Sequence, residues 1–131
     1  MVSEVAGSSP VFHPYINFIN FMKLRRYETL FILTPLLSED KIKNYINKFR
    51  DFLKLKGCNI IAEESLGLKK LAYPIQNKTT GFYQVFEFES TPETIFSLET
   101  EYKREEVVIR FLTILLNKYG IEYNKHKRSF K

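Results

Sequence analysis

The sequence is poor in the residues that build covalent cross-links and metal centres. Cys58 is the only cysteine, and the two histidines are His13 and His126. No internal disulfide can form, and there is no thiolate cluster for zinc. We therefore expect no metal and no cofactor, and a reducing cytoplasm fits this composition. No apolar run approaches the roughly 20 residues that a membrane-spanning helix needs.

Positive charge is in excess and is concentrated near one end of the chain. The formal net charge is +5, and residues 118–131 hold five basic side chains against one acid. A basic arm on a nearly neutral body is typical of a polyanion-binding protein, because neutralised phosphates release counterions. On charge alone, the alternative is a solvated tail that keeps the protein soluble.

Composition divides the chain into three parts. Residues 1–22 contain Glu4 as their only charged residue besides His13, without the positive start of a secretory signal or the arginines of a mitochondrial presequence. We expect this N-terminal extension to be disordered. Residues 23–118 form one predicted domain, large enough for a core without cross-links. Residues 119–131 form a basic C-terminal tail.

The hydrophobic pattern of the domain predicts two helices. Ser38 can cap the first, and Gly57 provides a left-handed stop. Between them, apolar residues recur at helical spacing: Ile42, Tyr45, Ile46, Phe49, Phe52 and Leu53. Thr91 and Pro92 begin the second helix. Its inward-facing residues are expected to be Ile95, Leu98 and Tyr102.

Four segments have the character of strands, namely residues 26–33, 59–75, 82–89 and 107–116, with a turn over 76–81. Within the second strand, Lys69 and Lys70 lie between a glycine and a proline, which is typical of an edge strand. The order of elements predicts an α+β, ferredoxin-like βαββαβ sandwich. In this fold, two helices cover one face of a four-stranded antiparallel sheet.

The second sheet face is predicted to be too apolar to remain exposed. Strand alternation assigns the following residues of the first strand to this open face: Arg26, Glu28, Leu30 and Ile32. In the last strand it separates Ile109, Phe111, Thr113 and Leu115 from Val108, Arg110, Leu112, Ile114 and Leu116. Aliphatic residues with a charged rim are typical of a protein interface. The alternatives are cover by the N-terminal extension or by homodimerisation.

Two other functions of the same fold find little support in the residues. An acylphosphatase-like enzyme would need an arginine and an asparagine, and the loop after the first strand, residues 34–37, contains neither. Residues 80–87 superficially match the signature of an RNA recognition motif. However, Thr80, Gln84 and Glu87 stand where basic or aromatic residues would be needed, so base stacking is not expected.

Several short motifs closely resemble the bacterial family of small ribosomal subunit protein six. They are Arg26-Tyr27-Glu28, residues 67–75, Gly81-Phe82-Tyr83 and Val108-Ile109-Arg110. The resemblance spans roughly residues 23–118, and the chain departs from the family in its extension and at Val107.

This resemblance implies a non-enzymatic constituent of the small ribosomal subunit, located on cytoplasmic ribosomes. The family's properties imply that it binds the central domain of the ribosomal RNA, at the platform, together with small ribosomal subunit protein eighteen. The alternatives are a free RNA-binding regulator of the same fold and, with less support, an acylphosphatase-like enzyme. No membrane or small-molecule partner is expected.

The resemblance and the charge pattern together nominate candidate site residues. The predicted RNA contacts are Arg25, Arg26, Tyr27, Lys69, Lys70, Arg110, Lys125, Lys127 and Arg128. The predicted partner contacts are Glu28, Leu30, Ile32, Leu71, Tyr73, Leu112 and Ile114. No catalytic residue and no metal ligand is predicted.

Overall fold

The computed structural model describes residues 24–129, and the predicted N-terminal extension lies outside them. The described chain forms β1 (Arg25–Leu33), α1 (Glu39–Leu55), β2 (Asn59–Ile75), β3 (Lys78–Ser90), α2 (Pro92–Arg104), β4 (Val108–Leu115) and α3 (Lys118–Ser129). No helix within residues 24–129 is both long enough and apolar enough to cross a membrane.

The four strands form one antiparallel sheet in the order β2-β3-β1-β4. This arrangement confirms the predicted ferredoxin-like fold and places β2 at an edge, as its lysines, glycine and proline indicated. Gly67 has a φ of +78° and lies at a register shift between β2 and β3. Glycine tolerates that left-handed conformation, so it accommodates the bulge without strain.

Helices α1 and α2 cover one face of the sheet because each presents one apolar stripe to it. Ser38 caps α1, its side chain accepting a hydrogen bond from the Lys41 backbone, and Leu98 and Tyr102 are the buried residues of α2. The core between the layers is rich in aromatic rings. Phe49 of α1 lies 5.0 Å from Phe31 and 4.9 Å from Tyr102, centroid to centroid. Tilted and edge-on pairs of this kind add to the energy of burial.

The hairpin between β2 and β3 is tighter than the sequence suggested. Gln76 and Asn77 alone make the turn, with φ values of 52° and 64°, and β3 begins at Lys78 rather than at residue 82. Two consecutive positive φ angles match the twist of the flanking strands. The predicted turn, residues 76–81, was too long because Gln-Asn lacks the glycine that usually identifies a two-residue turn.

A bulge in β4 reverses part of the predicted alternation. Ile32 pairs with Arg110 and Leu33 pairs with Val108, which leaves Ile109 as the extra residue. Val108 therefore packs against the helix-covered core, while Ile109 packs with Ile32 on the open face. The assignment of Val108 and Ile109 was wrong, because strict alternation fails wherever a strand gains one residue.

Residues 118–129, most of the predicted C-terminal tail, form the helix α3. The Asn117 side chain accepts a hydrogen bond from the Gly120 backbone at 2.9 Å and so caps the helix. Asn124 and Arg128 both reach Glu87, which lies opposite Glu28 in the sheet. Helix α3 therefore lies on the face that α1 and α2 leave open.

Candidate nucleic-acid and partner interface

An apolar groove occupies the part of the open face that α3 does not reach. Its volume is about 350 Å³, and its lining includes Leu30, Ile32, Leu71, Tyr73, Tyr83, Arg110 and Leu112. Ile32 and Leu71 of the lining and Ile109, which packs with them, are each less than 9% exposed. Gly81 permits this close packing, since a Cβ there would lie 2.3 Å from Cγ2 of Ile32.

The rim of the groove carries large side chains that remain exposed to solvent. Tyr73 is 55% exposed and Leu112 58%, and Ile114, further along β4, is 44% exposed. Such a contiguous exposed apolar surface is typical of an interaction site. Of the predicted partner contacts, Leu30, Ile32, Leu71, Tyr73 and Leu112 meet in this one groove. Ile114 lies on β4 opposite Glu28, and Glu28 faces the α3 end of the sheet.

Arg110 is the cation that borders the groove. Its guanidinium carbon lies 5.5 Å from the centroid of the Tyr73 ring, and Nη1 donates a hydrogen bond to the Tyr73 hydroxyl. Stacking on an aromatic ring orients a guanidinium while its remaining donors stay available. Arg110 therefore joins the apolar rim to a charged, exposed surface.

Lys69 and Lys70 extend the positive surface along the edge of the sheet. They pair with Gly81 and Thr80 of β3, and both are exposed. Because β2 is an edge strand, their ammonium groups face solvent next to the hairpin. An exposed lysine reaches a phosphate as a flexible point charge, whereas arginine offers a planar pair of donors.

At the other end of the open face, Glu87 lies between two arginines. Nη1 of Arg26 is 2.7 Å from Oε2 of Glu87, and Nη1 of Arg128 is 2.7 Å from Oε1 of Glu87. The Asn124 side chain also donates to Oε1, at 3.2 Å. Burial by itself would raise the pKa of Glu87, but these hydrogen bonds outweigh it and hold the pKa below its usual range.

Two of the predicted RNA contacts are thus engaged within the protein. Arg26 contacts Glu87 and also Glu89, at 3.4 Å, and its side chain is 19% exposed. Arg128 is 38% exposed and bonded to Glu87. Both arginines neutralise Glu87 on the sheet. They therefore have a structural role within the protein, which the sequence pattern did not indicate.

Tyr27 lies on the helix-covered face rather than on the surface. It is 8% exposed, and its ring is stacked 6.0 Å from that of Phe88. Burial raises the pKa of its hydroxyl. A ring in this position has no free face for a base, so the geometry assigns Tyr27 to the core. Its neighbour Arg25, at the start of β1, is exposed.

The remaining predicted RNA contacts are on α3. Lys125 and Lys127 are exposed, and Lys125 lies 4.0 Å from Glu122 on the same helix. Apart from Arg25 and Arg26 at the start of β1, the predicted RNA-contact cations therefore lie in two places: Arg110, Lys69 and Lys70 on β4 and β2, and the basic residues of α3. Within the described residues, no cluster of histidine, cysteine and acidic side chains could hold a metal ion.

Sequence reasoning missed several residues of the two sites. Tyr83 and Ile109 line or underlie the groove, and Asn124 bonds to Glu87. Alternation along β3 could have placed Tyr83 on the open face, two residues from Val85. No local sequence pattern indicated the role of Asn124, because its contact with Glu87 depends on where α3 docks.

Comparisons with known proteins agree on the family. The family model for ribosomal protein S6 matches residues 26–115. Small ribosomal subunit protein bS6 of Bacteroides fragilis is 52% identical over 108 residues, covering 82% of this chain and 95% of that protein. The bS6 protein of Flavobacterium psychrophilum is 46% identical over 106 residues, covering 81% and 94%.

A solved structure supports the same conclusion. The crystal structure of 30S ribosomal protein S6 from Thermotoga maritima superposes with a TM-score of 0.71 at 26% identity, covering 82% of this chain and 99% of that one. With the match over residues 26–115, the chain belongs to the ribosomal protein S6 family and is a structural, non-enzymatic constituent of the small ribosomal subunit.

Proposed function

We propose that this chain binds the central domain of small-subunit ribosomal RNA, at the platform, jointly with small ribosomal subunit protein eighteen. The observation that carries the proposal is the groove on the open sheet face, where exposed apolar side chains adjoin an oriented arginine. The apolar part suits a protein partner, and the cationic margin suits RNA phosphates.

The partner surface comprises the groove and its rim. Burying exposed residues such as Tyr73 and Leu112 against another protein removes apolar area from water, which favours association. The two are 55% and 58% exposed in the chain alone, so most of their surface is available for that contact.

The RNA surface comprises Arg25, Arg110, Lys69 and Lys70, with the α3 cations Lys125, Lys127 and Arg128 as a second group. Among residues 24–129, none of the first four forms a salt bridge, and phosphates can therefore approach them without breaking one. In contrast, Arg26 would have to leave Glu87, and Tyr27 would have to leave the core. We assign these two a supporting role in shaping the site.

The partner contact is tested with Leu112→Glu. A carboxylate on the groove rim should weaken binding of protein eighteen, measured by isothermal titration calorimetry, by at least about tenfold because the interface would have to remove the charge from water. Leu55→Glu is the matched control, since Leu55 is 84% exposed on the helix layer. Equal binding by both variants would exclude the groove as the partner site.

The RNA contact is tested with Arg110→Gln in the presence of the partner protein. Loss of one phosphate contact should lower affinity for the central-domain RNA and reduce the slope of log K against log salt by about one unit. Lys43→Gln removes an exposed charge from α1, on the other side of the sheet, and serves as control. An unchanged slope for Arg110→Gln would remove Arg110 from the RNA surface.

A further inference from the structure

Helix α3 is attached to the sheet through polar contacts. None of its residues is buried, and two of its side chains, Arg128 and Asn124, contact the same carboxylate of the sheet, Glu87. A helix of 12 residues is marginal in water on its own. Its docking on Glu87 and the backbone bond from Leu116 to Arg26 therefore hold it in place.

Release of α3 would leave no buried charge without a partner. Glu87 is 3% exposed, so losing all of its counterions would be costly. However, Arg26 bonds the second carboxylate oxygen, Oε2, and does so independently of α3. Arg128, already 38% exposed, would enter solvent. The docked and released states should therefore differ little in free energy.

RNA is a strong competitor for the cations of α3. The helix carries Lys118, Lys125, Lys127 and Arg128 against one acid, Glu122. Glu87 offers one carboxylate to Arg128, whereas an RNA strand offers several phosphates to the whole group, each suited to paired donors from arginine. Docking on Glu87 occupies Nη1 of Arg128 and places a carboxylate beside the guanidinium. That negative charge repels a phosphate, so the docked state and RNA binding compete for Arg128.

We propose that α3 is a releasable latch, docked on Glu87 in the free protein and captured by RNA phosphates in the bound protein. The inference rests on the proposed RNA-binding function. Docking then lowers the apparent RNA affinity of the α3 cations, because the contact with Glu87 must open first. Weakening the dock should raise RNA affinity, which an ordinary structural ion pair would not do.

The test uses the full chain with Glu87→Gln and, as a charge-matched control, Glu89→Gln. Both substitutions remove one acid that contacts Arg26, but only Glu87 contacts α3. Amide hydrogen exchange across residues 118–129 reports docking. Fluorescence anisotropy with a labelled polyuridylate oligonucleotide, at fixed ionic strength, reports RNA affinity.

Glu87→Gln should raise exchange in α3 and RNA affinity by about twofold to fivefold relative to Glu89→Gln, the range expected for a partly exposed ion pair. Arg128→Gln should also raise exchange but should lower RNA affinity, because it loses both contacts. This opposite sign in the two binding measurements is the signature of competition.

Equal exchange, or equal RNA affinity, in Glu87→Gln and Glu89→Gln would overturn the latch while leaving the proposed RNA function intact. If the natural chain and every variant fail to bind the oligonucleotide, the capture step is overturned, whereas the joint RNA-binding function is decided separately by the Arg110→Gln measurement with the partner protein. In that case the exchange of α3 in Glu87→Gln still reveals whether the helix docks on the sheet.

Discussion

At the scale of single residues, stability is concentrated in a few buried rings. Phe31, Phe49 and Phe86 have no exposed surface, and Tyr102 is 1% exposed. The hydroxyl of Tyr102 is hydrogen bonded to Thr29 at 3.0 Å, which satisfies a polar group that burial would otherwise destabilise. Burial raises the pKa of that hydroxyl. Phe31, Phe49 and Tyr102 pair with one another, so removing one ring leaves a cavity.

Phe49→Ala should lower the free energy of unfolding by about 3–5 kcal/mol, since it deletes a fully buried ring between the helix layer and the sheet. Urea denaturation followed by circular dichroism measures the change. Phe96→Ala is the control: Phe96 is 78% exposed, and its loss should change stability by less than about 0.5 kcal/mol. Similar losses in both variants would contradict this core.

Glu87 gives stability a defined dependence on pH. Its pKa is lowered in the folded chain, so the stabilisation it provides is present above the pKa of an unfolded glutamate, about 4.3, and is lost as pH falls through the lower folded value. The stability difference between the natural chain and Glu87→Gln should therefore shrink from pH 6 to pH 3. The same comparison with Glu106→Gln, at an exposed turn, should show a smaller change.

At the scale of elements, the hairpin and the central strand approach each other closely. Gly81 of β3 has room for no side chain, because a Cβ would overlap Ile32 and lie 3.5 Å from Ile109. Gly81 of β3 thus lies directly against larger residues of β1 and β4, namely Ile32 and Ile109. A larger side chain at this position would disturb the packing of β1, β3 and β4.

Gly81→Ala should destabilise the fold by about 1–3 kcal/mol through overpacking. Thr79→Ala, at an exposed position two residues away in the same strand, is the control and should cost less. Chemical denaturation of the two variants measures both changes in the free energy of unfolding. A Gly81→Ala protein as stable as the control would mean that β1 and β3 are not in such close contact.

Deleting residues 125–131 should change the melting temperature by only a few degrees, because no residue of α3 is buried and the ion pair to Glu87 is replaced by solvent and Arg26. RNA binding should weaken, since most of the α3 cations are lost. Differential scanning calorimetry provides the test. A melting temperature lowered by tens of degrees would show that α3 is an integral part of the domain.

At the scale of the whole molecule, the two faces of the sheet have different structural roles. One face is closed by α1 and α2 around the aromatic core, and the other holds the groove and the docked α3. This asymmetry suits a protein that works as part of an assembly. The S6 family is ribosomal, and ribosomes of bacteria are cytoplasmic, in agreement with the predicted location.

A tagged copy of the chain should sediment with small ribosomal subunits in a sucrose gradient of cell lysate, because family members are constituents of that subunit. Leu112→Glu should shift part of the protein to the top of the gradient, and Leu55→Glu should not. A tagged natural chain found wholly at the top would instead support a free RNA-binding protein.

The sequence by itself determined the order of the four strands with α1 and α2, and most of the core, but it did not predict the helix α3. Ser38, Gly57, Thr91 and Pro92 mark helix ends through local chemistry, and apolar spacing identified the buried residues. The recurring motifs identified the family. These signals are local, since caps, turns and periodicity depend on residues only a few positions apart.

The tertiary structure alone decided which predicted site residues are available. Arg26 and Arg128 meet Glu87 across 61 and 41 positions of sequence, Tyr27 enters the core, and a bulge turns Ile109 toward the groove. Such outcomes depend on strand register and on the docking of α3, which bring distant residues together. Local sequence patterns carry no information about contacts between residues that become neighbours only when the chain folds.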